Sequence, residues 1–359
     1  MKSSLDAFLI GLADLRHYIE GIELESLLLS YPVDRKNPSS CESLVLKYQQ
    51  HTIEGISKRK RRFDCNSIIV SLYGFTEQFV ESLLKAYVND LSKIISEYDK
   101  LPDSITKNHI DFSMELIKHI EEPKYEGLIT KKQIISNLCS DFNNHENYRL
   151  NVEAFAYHAA NFKPNVIDKL FAGVGVDNIS GRVIKCPIFT DYLRENAPAS
   201  VNHITPAEAL VNLNDLASRR NEIAHGSPSQ LIKNDILLDD IRLLEIYATA
   251  LYEVVYSEAL FYAVKHHGIK LGKPLAIFNN RIIGLSVKNI NIKVGDLLVA
   301  QQTANKSLPY IAGEIQEIQE NKVKSEKILT SAIAKNIGIR VAFKAKENHT
   351  FFLIHKQPS

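Results

Sequence analysis

The chain has 359 residues, of which 45% are hydrophobic and 24% are charged, a composition typical of a globular protein with room for two or three domains. Its 43 basic and 42 acidic residues nearly cancel, which argues against a non-specific polyanion binder but not against an enzyme with a small basic site. No run of about 18 apolar residues could span a membrane, and no signal-peptide pattern opens the chain. We therefore expect a cytoplasmic protein without membrane association.

The first helical segments lead into a strongly basic run. Residues 3–30 predict one amphipathic helix or a pair of helices, and a Ser-Tyr-Pro break at 30–32 ends the pattern. A second helix is expected to begin near Ser43 and to contain or end at the densest basic run of the sequence, Lys58, Arg59, Lys60, Arg61 and Arg62. Such a run is more often a solvated helix face, and the alternative is a surface that contacts nucleic-acid phosphates.

A long helix is predicted from about residue 65 to 97, because apolar residues recur there at intervals of three and four. Shorter helices follow from 101 to about 150, and another is expected between Pro164 and Gly173. Gly173-x-Gly175 is not a phosphate loop, since no strand precedes it and no Gly-Lys-Ser/Thr follows. His158 is expected to be structural, because no second catalytic group is near it in sequence. The four cysteines are scattered and form neither a zinc framework nor a disulfide scaffold.

The next helix has strong boundary signals. Thr205 is a good N-cap, a proline follows it, and Glu208 completes a capping box. Gly226 and Pro228 are expected to stop the helix. Its apolar stripe runs through Leu213, Leu216, Ala217, Ile223 and Ala224.

Arg220 falls within this stripe, where a guanidinium is costly unless an anion meets it. Asn221 and His225, four residues apart, lie on one face beside it. An arginine can bind phosphate oxygens, a histidine can transfer a proton, and an asparagine can orient either. The Cβ vectors of Arg220 and His225 diverge by about 140° on a helix, so a site completed by a second subunit is easier to build.

Beyond a last long helix at 235–267, the chain changes texture. Residues 281–299, 311–323, 337–343 and 350–355 alternate between β-branched and polar side chains. The last of these strands has consecutive phenylalanines, which suggests burial on both faces. We predict a mainly α protein, with a helical domain over residues 1–272 followed by a small β-barrel domain over residues 276–359.

Three stretches resemble one known family. Arg-Asn-Glu-Ile-Ala-His-Gly at 220–226 is similar to the signature of the HEPN superfamily (higher eukaryotes and prokaryotes nucleotide-binding). Phe-Thr-Glu-Gln-Phe at 75–79 and the segment 155–176 resemble the RiboL-PSP branch of that superfamily. In the C-terminal region, Val-Gly-Asp-Leu-Leu, Glu-Ile-Gln-Glu-Ile-Gln and Asn-Ile-Gly-Ile-Arg-Val resemble the second-domain barrel of translation elongation factor Tu.

The HEPN resemblance implies an α-helical bundle and a metal-independent endoribonuclease that needs no cofactor. In such enzymes the RNA 2′-hydroxyl attacks its own phosphodiester and leaves a 2′,3′-cyclic phosphate. Arg220 would hold the phosphate, His225 would act as acid or base, and Asn221 would orient one of them. Glu222 and Glu77 are candidate supporting residues, with Glu77 a candidate partner for Arg220. Candidate RNA contacts are the basic run and Arg219.

The resemblance also implies a homodimer with a composite site, acting as a toxin or in antiviral defence. Structured RNA such as tRNA is the expected substrate, and an antitoxin or a translational component is an expected partner. Two alternatives remain open. A non-catalytic HEPN module would bind RNA or nucleotide through the same helix, and a dimeric adaptor would dock a partner through its barrel.

Overall fold

The computed structural model describes residues 1–52, 54–143, 148–158, 160–199, 201, 203–226 and 230–356. This part of the chain contains twelve α-helices followed by eleven β-strands. The helices are α1 (Lys2–Ser30), α2 (Ser40–His51), α3 (Glu54–Ile94), α4 (Asp103–His119), α5 (Lys131–Asn143), α6 (Val152–Phe155), α7 (Pro164–Ala172), α8 (Ile179–Val183), α9 (Pro187–Asn196), α10 (Pro206–Ala209), α11 (Val211–Ala224) and α12 (Asn234–His267).

The strands are short and all pair in antiparallel fashion. They are β1 (Ile269–Gly272), β2 (Ala276–Phe278), β3 (Ile282–Val287), β4 (Asn291–Lys293), β5 (Leu297–Gln301), β6 (Tyr310–Glu314), β7 (Glu317–Glu320), β8 (Val323–Ser325), β9 (Lys327–Leu329), β10 (Lys335–Arg340) and β11 (Thr350–Ile354).

Helix α3 begins earlier than the apolar periodicity predicted. It starts at Glu54 rather than near residue 65, so the basic run lies inside α3, while α2 ends at His51. Lys60 lies one helical turn before Asp64 and pairs with it at 2.9 Å. Pairs of opposite charge four residues apart stabilise a helix, which helps the helix to continue through this polar stretch.

The helix expected to begin after Thr205 is interrupted. The capping box is present, since Thr205 accepts from the Glu208 N–H and Glu208 accepts in return. However, α10 ends at Ala209, and the chain turns at the fully buried Leu210 before α11 begins. Gly226, with a φ of +71°, then follows the end of α11, because glycine adopts the left-handed conformation without a Cβ penalty. Pro228 lies outside the described residues.

The chain divides into two compact units. The first contains Met1–Leu83, His158–Ile167 and Asp191–Thr249. In this unit the rings of Phe8 and Phe79 stack at 4.9 Å, which packs α1 against α3. Arg16 of α1 forms a 3.0 Å ion pair with Glu245 of α12. The buried core includes Leu12, Ile19, Leu72, Val80, Leu83, Leu213, Leu216, Ala217, Ile241 and Leu244.

The second unit contains Leu84–Tyr157, Asp168–Thr190 and Ala250–Ser359. Its helical part is organised around the buried Asn151. The Asn151 side chain donates to Ser113 Oγ at 2.9 Å and to the Ile134 carbonyl at 3.1 Å, and its backbone N–H donates to His109 Nε2 at 2.9 Å. Buried polar groups are costly unless they are paired in this way.

The strands of the second unit form three sheets rather than a barrel. Their orders are β1-β11-β5-β6, β2-β3-β10-β7-β8 and β4-β9. No ladder within the described residues joins the outer strands of a sheet, so the sheets are not closed. The predicted barrel is therefore wrong, and the expected likeness to elongation factor Tu has no support. Strand β11 is covered on both faces as expected, because Phe351 is buried among one set of sheet residues and Phe352 packs with Leu260, Val299 and Tyr310.

Candidate active site

Three segments of the first unit supply the polar side chains of the candidate site. On α3, Tyr73, Glu77 and Glu81 are four residues apart, which places them along one face of the helix. The chain before α7 and the helix α11 supply the remaining groups. Electrostatic interactions connect all three segments, since both carboxylates and Arg220 act on the Tyr73 hydroxyl.

Arg220 is held against an aromatic ring. Its guanidinium carbon lies 5.0 Å from the centroid of the Tyr73 ring, and Nη1 donates to Asn221 Oδ1 at 3.2 Å. Such cation–π contacts contribute about 0.5–2 kcal/mol. The side chain is half-buried, and no carboxylate of the described residues forms an ion pair with it. Arg220 is thus an oriented cation whose remaining N–H groups can meet an anion.

The hydroxyl of Tyr73 fixes the chain that precedes α7. It accepts a hydrogen bond from the Phe162 backbone N–H at 3.0 Å and lies 3.4 Å from Asn161 Oδ1. Burial raises the pKa of this hydroxyl, the carboxylates of Glu77 and Glu81 act in the same direction, and the Phe162 N–H and Arg220 oppose them. Tyr73 is therefore a neutral phenol at physiological pH.

Replacing Tyr73 with phenylalanine keeps the ring beneath Arg220 but removes the acceptor for the buried Phe162 N–H. We expect the free energy of unfolding, measured by urea denaturation, to fall by about 1–3 kcal/mol, the cost of an unsatisfied buried donor. The matched control is Tyr31→Phe, at an exposed tyrosine, which should leave stability unchanged. Equal stability of Tyr73→Phe and wild type would contradict the role given to the hydroxyl.

The other predicted residues of α11 are more exposed than the apolar stripe implied. Asn221 is half-buried, and Glu222 and His225 are exposed. His225 is the C-cap residue, and its side chain makes no hydrogen bond among the described residues. The guanidinium of Arg219 pairs with Asp215 at 2.5 Å. The structure therefore brings Arg220 and Asn221 together and leaves the His225 imidazole without an orienting partner.

Glu77 does not pair with Arg220 within the described part of the chain. Its Oε1 atom lies 3.6 Å from His158 Nε2, and Glu81 Oε1 is closer to the same nitrogen, at 2.9 Å. His158 Nδ1 lies 2.8 Å from the Ala160 carbonyl. Sequence spacing missed this cluster because Glu81 is 77 residues from His158 along the chain. The signal that could have found half of it is the repeat of Tyr73, Glu77 and Glu81 at four-residue intervals.

The basic run on α3 is exposed throughout. Lys60 pairs with Glu25 at 2.6 Å and with Asp64 at 2.9 Å, so it is engaged within the first unit. Phe63, which follows the run, is 70% exposed. A cavity of about 560 Å³ lies alongside, lined by Lys58, Lys60 and Arg61 and by the acidic residues Glu23, Glu25 and Asp64. Lys58, Arg59, Arg61 and Arg62 make no ion pair in the described residues.

Comparison with known proteins identifies the family. The RiboL-PSP-HEPN family matches residues 38–257, which is well over half of the chain, and the protein belongs to that family. Membership indicates a ribonuclease, with RNA as the substrate. The match covers α3, α11 and most of α12 and ends before the first strand. No curated protein matches the chain. Among the described residues, no helix has the length and apolar character needed to cross a membrane.

Proposed function

We propose that this protein is a metal-independent endoribonuclease that uses the Arg220-to-His225 turn of α11. In the proposed reaction the RNA 2′-hydroxyl loses its proton and attacks the adjacent phosphorus. The bond to the 5′-oxygen of the next nucleotide breaks, and that oxygen takes up a proton. The products are a 2′,3′-cyclic phosphate and a 5′-hydroxyl. The observation that carries the proposal is the guanidinium of Arg220, which is oriented by Tyr73 and Asn221 and has no carboxylate partner within the described residues.

Arg220 would bind the non-bridging phosphate oxygens. A guanidinium presents donors in a planar fork that matches phosphate, and its charge stabilises the negative charge that grows in the transition state. Because the ring of Tyr73 and the amide of Asn221 fix it beforehand, little reorganisation is required when RNA binds. Asn221 would thus act through Arg220, as a positioning residue, with exposed Glu222 as a further candidate for support.

His225 would transfer the protons. An imidazole can accept the 2′-hydroxyl proton or donate one to the leaving 5′-oxygen near neutral pH. Its exposed position and its unpartnered side chain support a site that is completed on docking, by RNA and by the same turn of a second copy. A homodimer of this kind also accommodates the divergence of about 140° between the Cβ vectors of Arg220 and His225.

The exposed cations of α3 are proposed to contact the RNA backbone, with Arg219 as a further contact. Reversing the charge at Lys58, Arg59, Arg61 and Arg62 together should weaken RNA binding and flatten its dependence on salt, by up to about 0.7 of a unit in log–log slope per lost phosphate contact on single strands. Fluorescence anisotropy over a series of salt concentrations measures both. Charge reversal at Lys107 and Lys118, exposed lysines of α4, is the control, and an equal loss there would contradict a specific RNA path.

The biological role that we propose is a toxin or an antiviral defence nuclease, with tRNA or another structured RNA as substrate. An antitoxin or a translational component is the proposed partner. We also propose a helical domain over residues 1–272 and a separate C-terminal domain over residues 276–359. The family match, which ends at residue 257, supports that division.

Incubation of total RNA and purified tRNA with the protein in EDTA tests the proposed activity. We expect discrete fragments from the wild type, because the groups assigned to the reaction are side chains of the chain itself. Intact RNA after incubation with a folded protein, verified by circular dichroism, would contradict the proposal.

One observation favours a second function, that of an RNA-binding module without catalysis. The His225 side chain has no hydrogen-bond partner in the described residues, whereas a catalytic base is usually oriented by a third group. A binding module would need Arg220 and tolerate the loss of His225. RNA binding that survives His225→Ala, with no cleavage by the wild type, would favour this alternative.

A further inference from the structure

A second cluster of functional groups lies on α3 and the chain before α7, within the first unit. Glu77, Glu81 and His158 each offer one ligand atom, and these atoms lie within 4.8 Å of one another. In the described part of the chain this is the one group of three histidine, cysteine or carboxylate side chains so arranged. We infer that Glu77, Glu81 and His158 form a binding site for one divalent transition-metal ion, with Zn²⁺ as the best match.

The ligand set fits zinc in kind and in spacing. Zinc binds one imidazole nitrogen and carboxylate oxygens at about 2.0–2.2 Å, which places neighbouring ligand atoms about 3.4 Å apart in a tetrahedron. His158 Nε2 lies 2.9 Å from Glu81 Oε1 and 3.6 Å from Glu77 Oε1, on either side of that value. Small side-chain rotations therefore suffice to admit an ion, and three protein ligands leave one position open.

The histidine is already oriented as a ligand. Its Nδ1 faces the Ala160 carbonyl at 2.8 Å, and the edge of Phe162 lies against the ring, with centroids 4.1 Å apart. Metal-bound histidines usually donate their second N–H to a carbonyl or carboxylate, which fixes the ring orientation. The remaining nitrogen, Nε2, is thereby directed at both carboxylates.

Burial favours an ion over a larger ligand. The side chains of His158 and Glu81 are each 9% exposed, whereas that of Glu77 is 31% exposed. The cluster therefore opens to solvent on the Glu77 side, where water can occupy the fourth position. An ion held there ties α3 to the chain before α7 and has a structural role. This role does not depend on the proposed nuclease activity, and chelation should leave cleavage intact.

Zinc titration of the full-length protein, after treatment with EDTA and desalting, tests the site without RNA. Competition with a chromophoric chelator should detect one tight Zn²⁺ per chain in the wild type. We expect Glu81→Gln and His158→Asn to weaken that affinity about 100-fold or more, beyond the roughly 10- to 100-fold that follows loss of a hydrogen-bond partner behind a ligand. No tight zinc in the wild type, or unchanged affinity in both variants, would overturn the inference.

The matched control is His119→Asn. His119 also lies between two glutamates, with Nε2 3.4 Å from Glu115 and Nδ1 2.9 Å from Glu122. Because its two nitrogens face different carboxylates, these three groups cannot converge on one ion through a single nitrogen. The tight Zn²⁺ should persist in this variant, and its loss would assign zinc to the wrong cluster.

The absorption spectrum of the Co²⁺-loaded wild type provides a second measurement that needs no substitution. Intense visible bands without a thiolate charge-transfer band are expected for a low-coordinate nitrogen and oxygen site. A thiolate band would assign the ion to a cysteine and overturn the inference, even if both ligand variants failed to fold.

Discussion

Replacing Arg220 with alanine should lower the rate of RNA cleavage about 100- to 1,000-fold, the usual cost of removing one preorganised donor from a charged transition state. RNA binding should weaken too, because one phosphate contact is lost. Single-turnover cleavage and anisotropy measure the two effects separately. Stability should change little, since the half-buried guanidinium contributes a single cation–π contact with Tyr73.

Two further variants sharpen this result. Arg220→Lys should remain impaired, because an ammonium lacks the planar fork that binds two phosphate oxygens. Arg242→Ala removes an exposed arginine of α12 that pairs with Glu195 at 2.7 Å, and it should cleave RNA normally. If expression of the wild type arrests growth, as a toxin role requires, Arg220→Ala should abolish the arrest. Near-wild-type cleavage by Arg220→Ala would remove this residue from the site.

Replacing His225 with alanine should reduce cleavage about 100- to 10,000-fold while RNA affinity stays close to that of the wild type. Acid–base catalysis by one side chain contributes this much to a rate, and the exposed imidazole contributes little to holding RNA. Rate and affinity are measured as for Arg220. His203→Ala, at another exposed histidine of the first unit, is the control and should cleave normally.

A mixing experiment tests the composite site. If one copy supplies Arg220 and the other His225, a mixture of Arg220→Ala and His225→Ala proteins should recover part of the activity that each lacks. Unimpaired cleavage by His225→Ala alone would mean that another group transfers the proton. No recovery on mixing, from variants that still dimerise, would contradict a site shared between copies.

Local signals in the sequence predicted local structure well. The Thr205–Glu208 capping box, the glycine after α11 and the periodicity of α12 all correspond to observed features. The turn at residues 293–296 is also present, with a φ of +89° at Gly295. Each of these depends on a few neighbouring residues, which is why the sequence alone was sufficient.

Non-local structure was harder to predict. Whether strands close into a barrel depends on pairings between distant segments, such as β1 with β11, which no alternation pattern specifies. The break at Leu210 also escaped notice, because burial of that side chain overrides helix propensity.

The candidate site divides in the same way. Arg220, Asn221 and His225 could be selected because they lie within one turn of a helix. The ring of Tyr73 beneath Arg220 and the pairing of Glu81 with His158 could not, because they join residues far apart in the chain. Glu77 was selected for the wrong partner, since nothing in its spacing distinguishes Arg220 from His158.

The chemical ends of the RNA fragments test the central claim most directly. Wild-type protein incubated with tRNA in EDTA should leave 2′,3′-cyclic phosphate and 5′-hydroxyl ends, because attack by the 2′-hydroxyl gives no other products. Enzymatic removal of the cyclic phosphate followed by mass spectrometry identifies them. Fragments with 3′-hydroxyl and 5′-phosphate ends would require attack by water and would contradict the proposed mechanism.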